Sequence, residues 1–168
     1  MTISMYSASI PGFIHSLESL SAILTKAEAY ATAKKIDPLV LTGSRLAPDM
    51  FPLSRQVQIA TDMVKGFAAR MSGVDIPKYE DTEKTFPELQ ARIAKTVAFL
   101  KTADAKKVDG SESKSVSLKF GPREFNFSGL PYLVNFVIPN FYFHMTVVYA
   151  ILRHNGLDIG KADFLGNV

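Results

Sequence analysis

His144 and Asn140 are the two side chains in this sequence best suited to hold something. Four residues apart on a helix, they share one face. An imidazole beside an amide offers donors and acceptors of both kinds. Pro139 stands directly before Asn140. Proline carries no N–H, so inside a helix it deprives the carbonyl one turn back, that of Asn135, of its usual partner and bends the axis. A free acceptor beside Asn135, Asn140 and His144, with Tyr142 and Tyr149 on the same helix, has the composition of a pocket for a small polar ligand. Buried amide and imidazole groups also need partners for structural reasons alone. The same residues therefore suit a plain core role.

Other chemistries have little to stand on. The chain has no cysteine, which excludes disulfides, zinc–thiolate sites and a cysteine nucleophile. It has no G-x-S-x-G, and Gly160-Lys161 lacks the upstream glycines of a phosphate loop. His15 falls on the polar side of its helix. His154 and Arg153 sit in a last turn, where positive charge suits the helix dipole. A net charge of +3 without a basic run gives no footprint for nucleic acid. The N-terminus lacks a basic n-region and an apolar h-region, so a cytoplasmic location is expected. Asn126-Phe127-Ser128 matches the glycosylation triplet, which carries no meaning without secretion.

These side chains ride on Leu130–Leu152, a stretch with no Lys, Arg, Asp or Glu. Pro131 suits a first helical turn and Gly156 a C-terminal stop. The stretch is long enough to cross a bilayer. Its asparagines and histidine are costly in lipid, which argues against a membrane span. It is read instead as the central helix of a core, apolar on nearly every side.

The remaining elements supply what packs on it. Ile10, Phe13, Ile14, Leu17, Leu20, Leu24, Ala27 and Ala31 recur at threes and fours, predicting a helix over 9–34. A long connection follows over 36–51, with one short helical turn over 38–41. A second helix starts at Pro52 and stops before Gly73, with Leu53, Val57, Ala60, Val64, Phe67 and Met71 buried. Its Arg55, Gln58, Asp62 and Lys65 read as a solvated face, spaced for Gln58–Asp62 and Asp62–Lys65 contacts. Thr85-x-x-Glu88 is a capping box that opens a third helix to about Thr102, with Leu89, Ile93, Thr96, Val97 and Leu100 inward. Residues 104–114 read as a polar, mobile loop. Alternation over 115–120 and 124–127 around Gly121-Pro122 predicts a hairpin. Its Val116, Leu118, Phe120, Phe125 and Phe127 are expected to press on the helices. Phe164 and Leu165 are expected to pin the tail. At 168 residues, one domain over 1–168 is expected.

Four strings are long and uncommon: RLAPDMFPLSRQVQIATD (45–62), KYEDTEKTFPELQARIAKT (78–96), PNFYFHMTVVYAILRHNG (139–156) and GKADFLG (160–166). On these the chain resembles, nearly end to end, an uncharacterised bacterial and fungal family of the DinB/YfiT-like superfamily. The resemblance implies an all-α, up-down four-helix bundle, with the small hairpin before the last helix, and commonly a homodimer. Many members of that superfamily hold a divalent metal through one histidine on the second helix and an H-x-x-x-H pair on a later one, some for thiol transfer. His144 matches the second histidine of the pair. Asn140 stands where the first would be, and the second helix offers only Gln58 and Asp62. An amide is a poor ligand for zinc or nickel.

Three readings follow. The first is a small polar ligand held around His144 and Asn140, with Asn135, Tyr142 and Tyr149, and no metal cofactor. The second is a metal-dependent hydrolase or thiol transferase in which His144, Asp62 and Gln58 hold a divalent ion such as zinc or nickel. The third is a non-catalytic interaction dimer, in which His144 and Asn140 satisfy core hydrogen bonds.

Overall fold

The computed structural model describes residues 3–167, apart from the side chain of residue 120. Four long helices make the bundle: α1 (Ile10–Lys34), α3 (Leu53–Ser72), α4 (Phe86–Lys101) and α7 (Ile138–His154). Short helices punctuate the connections: α2 (Pro38–Thr42), α5 (Ala105–Val108) and α6 (Gly129–Pro131), with α8 (Lys161–Leu165) in the tail. Strands β1 (Ser115–Phe120) and β2 (Arg123–Ser128) pair antiparallel, Val116 opposite Phe127 and Leu118 opposite Phe125. The all-α bundle with a hairpin before its last helix is the architecture expected.

Local chemistry sets the element ends. Thr85 accepts from the Glu88 N–H, and the Glu88 carboxylate takes the Thr85 N–H at 2.9 Å, so the expected box is formed. Gly73 ends α3 at φ +70°, a left-handed conformation that a side chain would strain. The hydrophobic stripes of α1, α3 and α4 face one common cluster, joined by Tyr132, Leu133, Val137, Phe141, Met145, Val148 and Ile151 of the last helix.

α3 lies between α4 and α7. It runs antiparallel to α7, since Gln56 meets His144 while Arg70 meets Tyr132. It runs parallel to α4, since Thr61 meets Arg92 while Ala68 and Ser72 share a cleft with Phe99 and Thr102, so these two successive helices depart from the expected up-down alternation. Residues 73–85 therefore travel back along α3, which brings Asp81 and Glu83 beside its N-terminal half.

Several local expectations change. The mobile loop over 104–114 is built in. Asp104 caps α5, Val108 and Ser111 are buried, and Asp109 Oδ1 takes the Tyr6 N–H at 2.8 Å. In the hairpin, Val116 and Leu118 are buried and Phe127 packs on the core, but Phe125 is exposed. The expectation for Phe120 lies outside the described residues. In the tail, Phe164 packs edge-on against Tyr149, whereas Leu165 is exposed and the segment is held by its backbone carbonyl, 2.6 Å from His15 Nε2. His15 is thus half-buried rather than turned to solvent.

The charge-free helix is continuous from Gly129 to His154, but only a third of its most apolar window is buried. It is a two-faced element, not one enclosed on every side. Tyr132–Val137 forms a π-helical segment immediately before α7. The wider i→i+5 turn is how this helix accommodates Pro139, whose missing N–H interrupts the ordinary ladder. The acceptor that Asn140 takes up is the Phe136 carbonyl, at 2.7 Å, rather than that of Asn135.

Candidate functional site

His144 is half-buried where α7 meets the start of α3. Its Nδ1 lies 2.6 Å from Gln56 Oε1. Gln56 is buried, and its Nε2 donates to the Phe51 carbonyl at 3.0 Å, which fixes the amide with its oxygen toward the imidazole. Nδ1 is therefore the protonated nitrogen. Burial, and then the positive charge of Arg55, hold the His144 pKa below the ordinary histidine value. The imidazole is accordingly neutral at physiological pH. Its Nε2 has no hydrogen-bond partner among the described residues.

The other residues grouped with it do not converge there. Asn140 turns its amide back to its own helix, on the Phe136 carbonyl. Asn135 is exposed. Tyr142 is exposed, with its hydroxyl 3.4 Å from Ser16 Oγ on α1. Tyr149 donates to the Ile159 carbonyl at 3.4 Å. The reason is angular. Residues at 135, 139, 142 and 146 follow one another on the outer face, whereas 141, 145 and 148 point inward.

Gln58 and Asp62 belong to a different group, centred on Arg92. The Arg92 side chain is fully buried. Its guanidinium meets Asp62 at 2.9 Å, Asp81 at 3.1 Å and Glu83 at 3.0 Å, and its Nε donates to Thr61 Oγ1 at 2.8 Å. Gln58 Nε2 donates to Glu83, and Gln58 Oε1 accepts from Arg55, which also pairs with Asp81. Lys65 holds Asp62 at 2.7 Å and sits over the Tyr79 ring, 3.7 Å from its centre. Burial alone would raise the Asp81 pKa, but Arg55 and Arg92 outweigh it and hold the carboxyl below its ordinary value.

This overturns the solvated face expected on α3. Gln58 and Lys65 are buried, because the 73–85 segment returns over them. The Asp62–Lys65 contact forms, but Gln58 pairs with Arg55 and Glu83 instead of Asp62. Sequence reasoning missed Gln56 and Arg92. Arg92 falls three after Leu89 and four before Thr96, on the inward stripe, and that spacing was the available signal.

The metal set suggested by resemblance does not assemble. Asp62 Oδ1 is held by Lys65 and Arg92, Gln58 pairs with Arg55 and Glu83, and His144 faces an amide. Among the described residues no three His, Asp or Glu side chains gather as a metal would require. The donors do not fit zinc or nickel.

Comparison with known proteins agrees with this architecture. A family model described as a domain of unknown function, DUF1993, matches residues 5–165. A crystal structure of a DinB family member protein from Shewanella denitrificans is 39% identical, with a TM-score of 0.88, and covers 97% of this chain and 92% of that one. No curated protein matches the sequence. The chain belongs to the DUF1993 family and has the DinB-type helical bundle.

Proposed function

We propose that this protein works as a soluble, cytoplasmic homodimeric binding protein rather than a metal-dependent hydrolase or thiol transferase. The supporting observation is the outer face of the last long helix. Leu130, Val134, Tyr142 and Phe143 are 45%, 50%, 38% and 55% exposed. Pro131, Asn135, Pro139 and Thr146 lie beside them, also exposed. No Lys, Arg, Asp or Glu interrupts this face.

A second copy is the occupant such a face suits. Two identical surfaces meeting about a two-fold axis bring like against like. An uncharged apolar strip tolerates that, whereas a charged one repels itself. The strip from Leu130 to Thr146 is about 25 Å long and about 10 Å wide. That supplies roughly a third of the ~800 Å² per partner that stable dimers bury. Phe51, 55% exposed, extends it, since its carbonyl is tied through Gln56 to His144.

Analytical ultracentrifugation tests this reading. The expected result is a dimer that Val134→Glu with Phe143→Glu converts to a folded monomer, checked by circular dichroism. A wild-type chain that sediments as a monomer at high micromolar concentration overturns it. A second reading, a small polar ligand at His144, is favoured by one observation, the open Nε2 of a neutral imidazole. Asn140, Asn135, Tyr142 and Tyr149 contribute little to it as placed, so such a ligand would rest on His144 alone.

A further inference from the structure

A concavity lies along the C-terminal half of α3, where α3, β1 and the π-helical segment meet. It encloses about 220 Å³. Arg70 and Tyr132 supply its polar end, and Leu118, Ile76, Met63 and Phe136 supply apolar walls. Arg70 Nη1 donates to Tyr132 Oη at 3.1 Å. No carboxylate reaches this guanidinium among the described residues, in contrast to Arg92 with three. The Tyr132 hydroxyl, having accepted from Arg70, still carries its own proton, and no acceptor for it appears among the described residues. Tyr132 is buried, which pushes its pKa up and keeps that proton in place.

Gly66 leaves room for the arrangement. A Cβ there would lie 2.6 Å from Arg70 Nη1, so a side chain at position 66 would push the guanidinium from its place against α3. Asp62 also lines the cavity, but its charge is held by Lys65 and Arg92. The cavity thus presents a guanidinium and a phenol O–H side by side, both donors without an anion, opening onto apolar walls.

We propose that this cavity binds a small organic carboxylate whose apolar body is about the size of one aromatic ring. One carboxylate oxygen accepts from Arg70 and the other from the Tyr132 hydroxyl, a charge-assisted pair. The body lies against Leu118, Ile76 and Phe136.

Titration of the full chain with benzoate, followed by NMR shifts at Gly66 and Arg70 Nε, tests the proposal. Benzyl alcohol and inorganic phosphate serve as controls. Saturable benzoate binding is expected, weakened about tenfold or more by Arg70→Met and to a smaller degree by Tyr132→Phe. Benzyl alcohol, lacking the charge, and phosphate, lacking the body, are each expected to bind more weakly than benzoate. Absence of saturable benzoate binding overturns the proposal, as does unchanged affinity in Arg70→Met. Phosphate or benzyl alcohol binding as tightly as benzoate also overturns it. Gly66→Ala, which displaces the guanidinium without removing it, is expected to weaken benzoate as Arg70→Met does. It keeps the test decisive if the methionine variant does not fold.

Discussion

Replacing Arg92 by methionine is the sharpest test of what holds α3, α4 and the returning 73–85 segment together. Methionine fills much of the same buried space without charge. The change leaves Asp62, Asp81 and Glu83 gathered with no cation at their centre, and deprives Thr61 of its Nε–H donor. Removing one partner of a buried ionic group costs about 3–5 kcal/mol, chiefly through the charges left behind. Here Asp62 and Asp81 keep 33% and 37% of their side-chain exposure and regain water, while Glu83 keeps 10%. That places the expected loss near the lower limit, about 3 kcal/mol. For a chain of this size the melting temperature should fall by roughly 6–12 °C.

Urea unfolding of both proteins at neutral pH reads the difference directly. The same measurement at lower pH adds a second constraint. Asp81 has a folded-state pKa below its ordinary 3.8. A depressed carboxylate stabilises the fold fully above its unfolded-state pKa. That contribution is lost as pH falls through this value toward the folded one. The gap between wild type and Arg92→Met should therefore narrow below about pH 4. A loss under about 1 kcal/mol at neutral pH, or a gap that does not change with acid, would refute the reasoning.

Two further predictions concern the His144 region and the hairpin junction. Because burial and Arg55 lower the His144 pKa, protonation favours the unfolded chain, and stability should decline as pH falls through about 6.5. Arg55→Gln should raise the His144 pKa in an NMR titration and shrink that decline; an unmoved titration would remove Arg55 as a cause. At Gly129, an added Cβ would run into the Ser111 carbonyl oxygen, a backbone atom that cannot step aside. Gly129→Ala should cost about 1–3 kcal/mol or more in urea unfolding, whereas Gly160→Ala, where a Cβ meets nothing, should leave the fold intact.

Much of the frame was legible in the order of residues, because its causes are local. A capping box needs only Thr85 and Glu88 three apart. A left-handed stop needs only Gly73. A buried stripe needs only apolar residues at threes and fours, as in α1 and α3. Alternation about Gly121 specified the hairpin in the same way. The charge-free stretch placed His144 on the last helix, and the family strings added the bundle type and the mismatch at Asn140.

Tertiary packing decided the rest. His144 and Gln56 are 88 positions apart, and nothing near either names the other. Arg92 draws carboxylates from α3 and from the segment that doubles back over it, so Gln58 and Lys65 are covered rather than solvated. The charge-free helix was the hardest to orient. A helix apolar on all sides carries no polar stripe to say which side is out, so periodicity could not separate Phe141 from Phe143. Only its packing against α3 put Phe141 and Met145 inside and left Val134, Tyr142 and Phe143 outside.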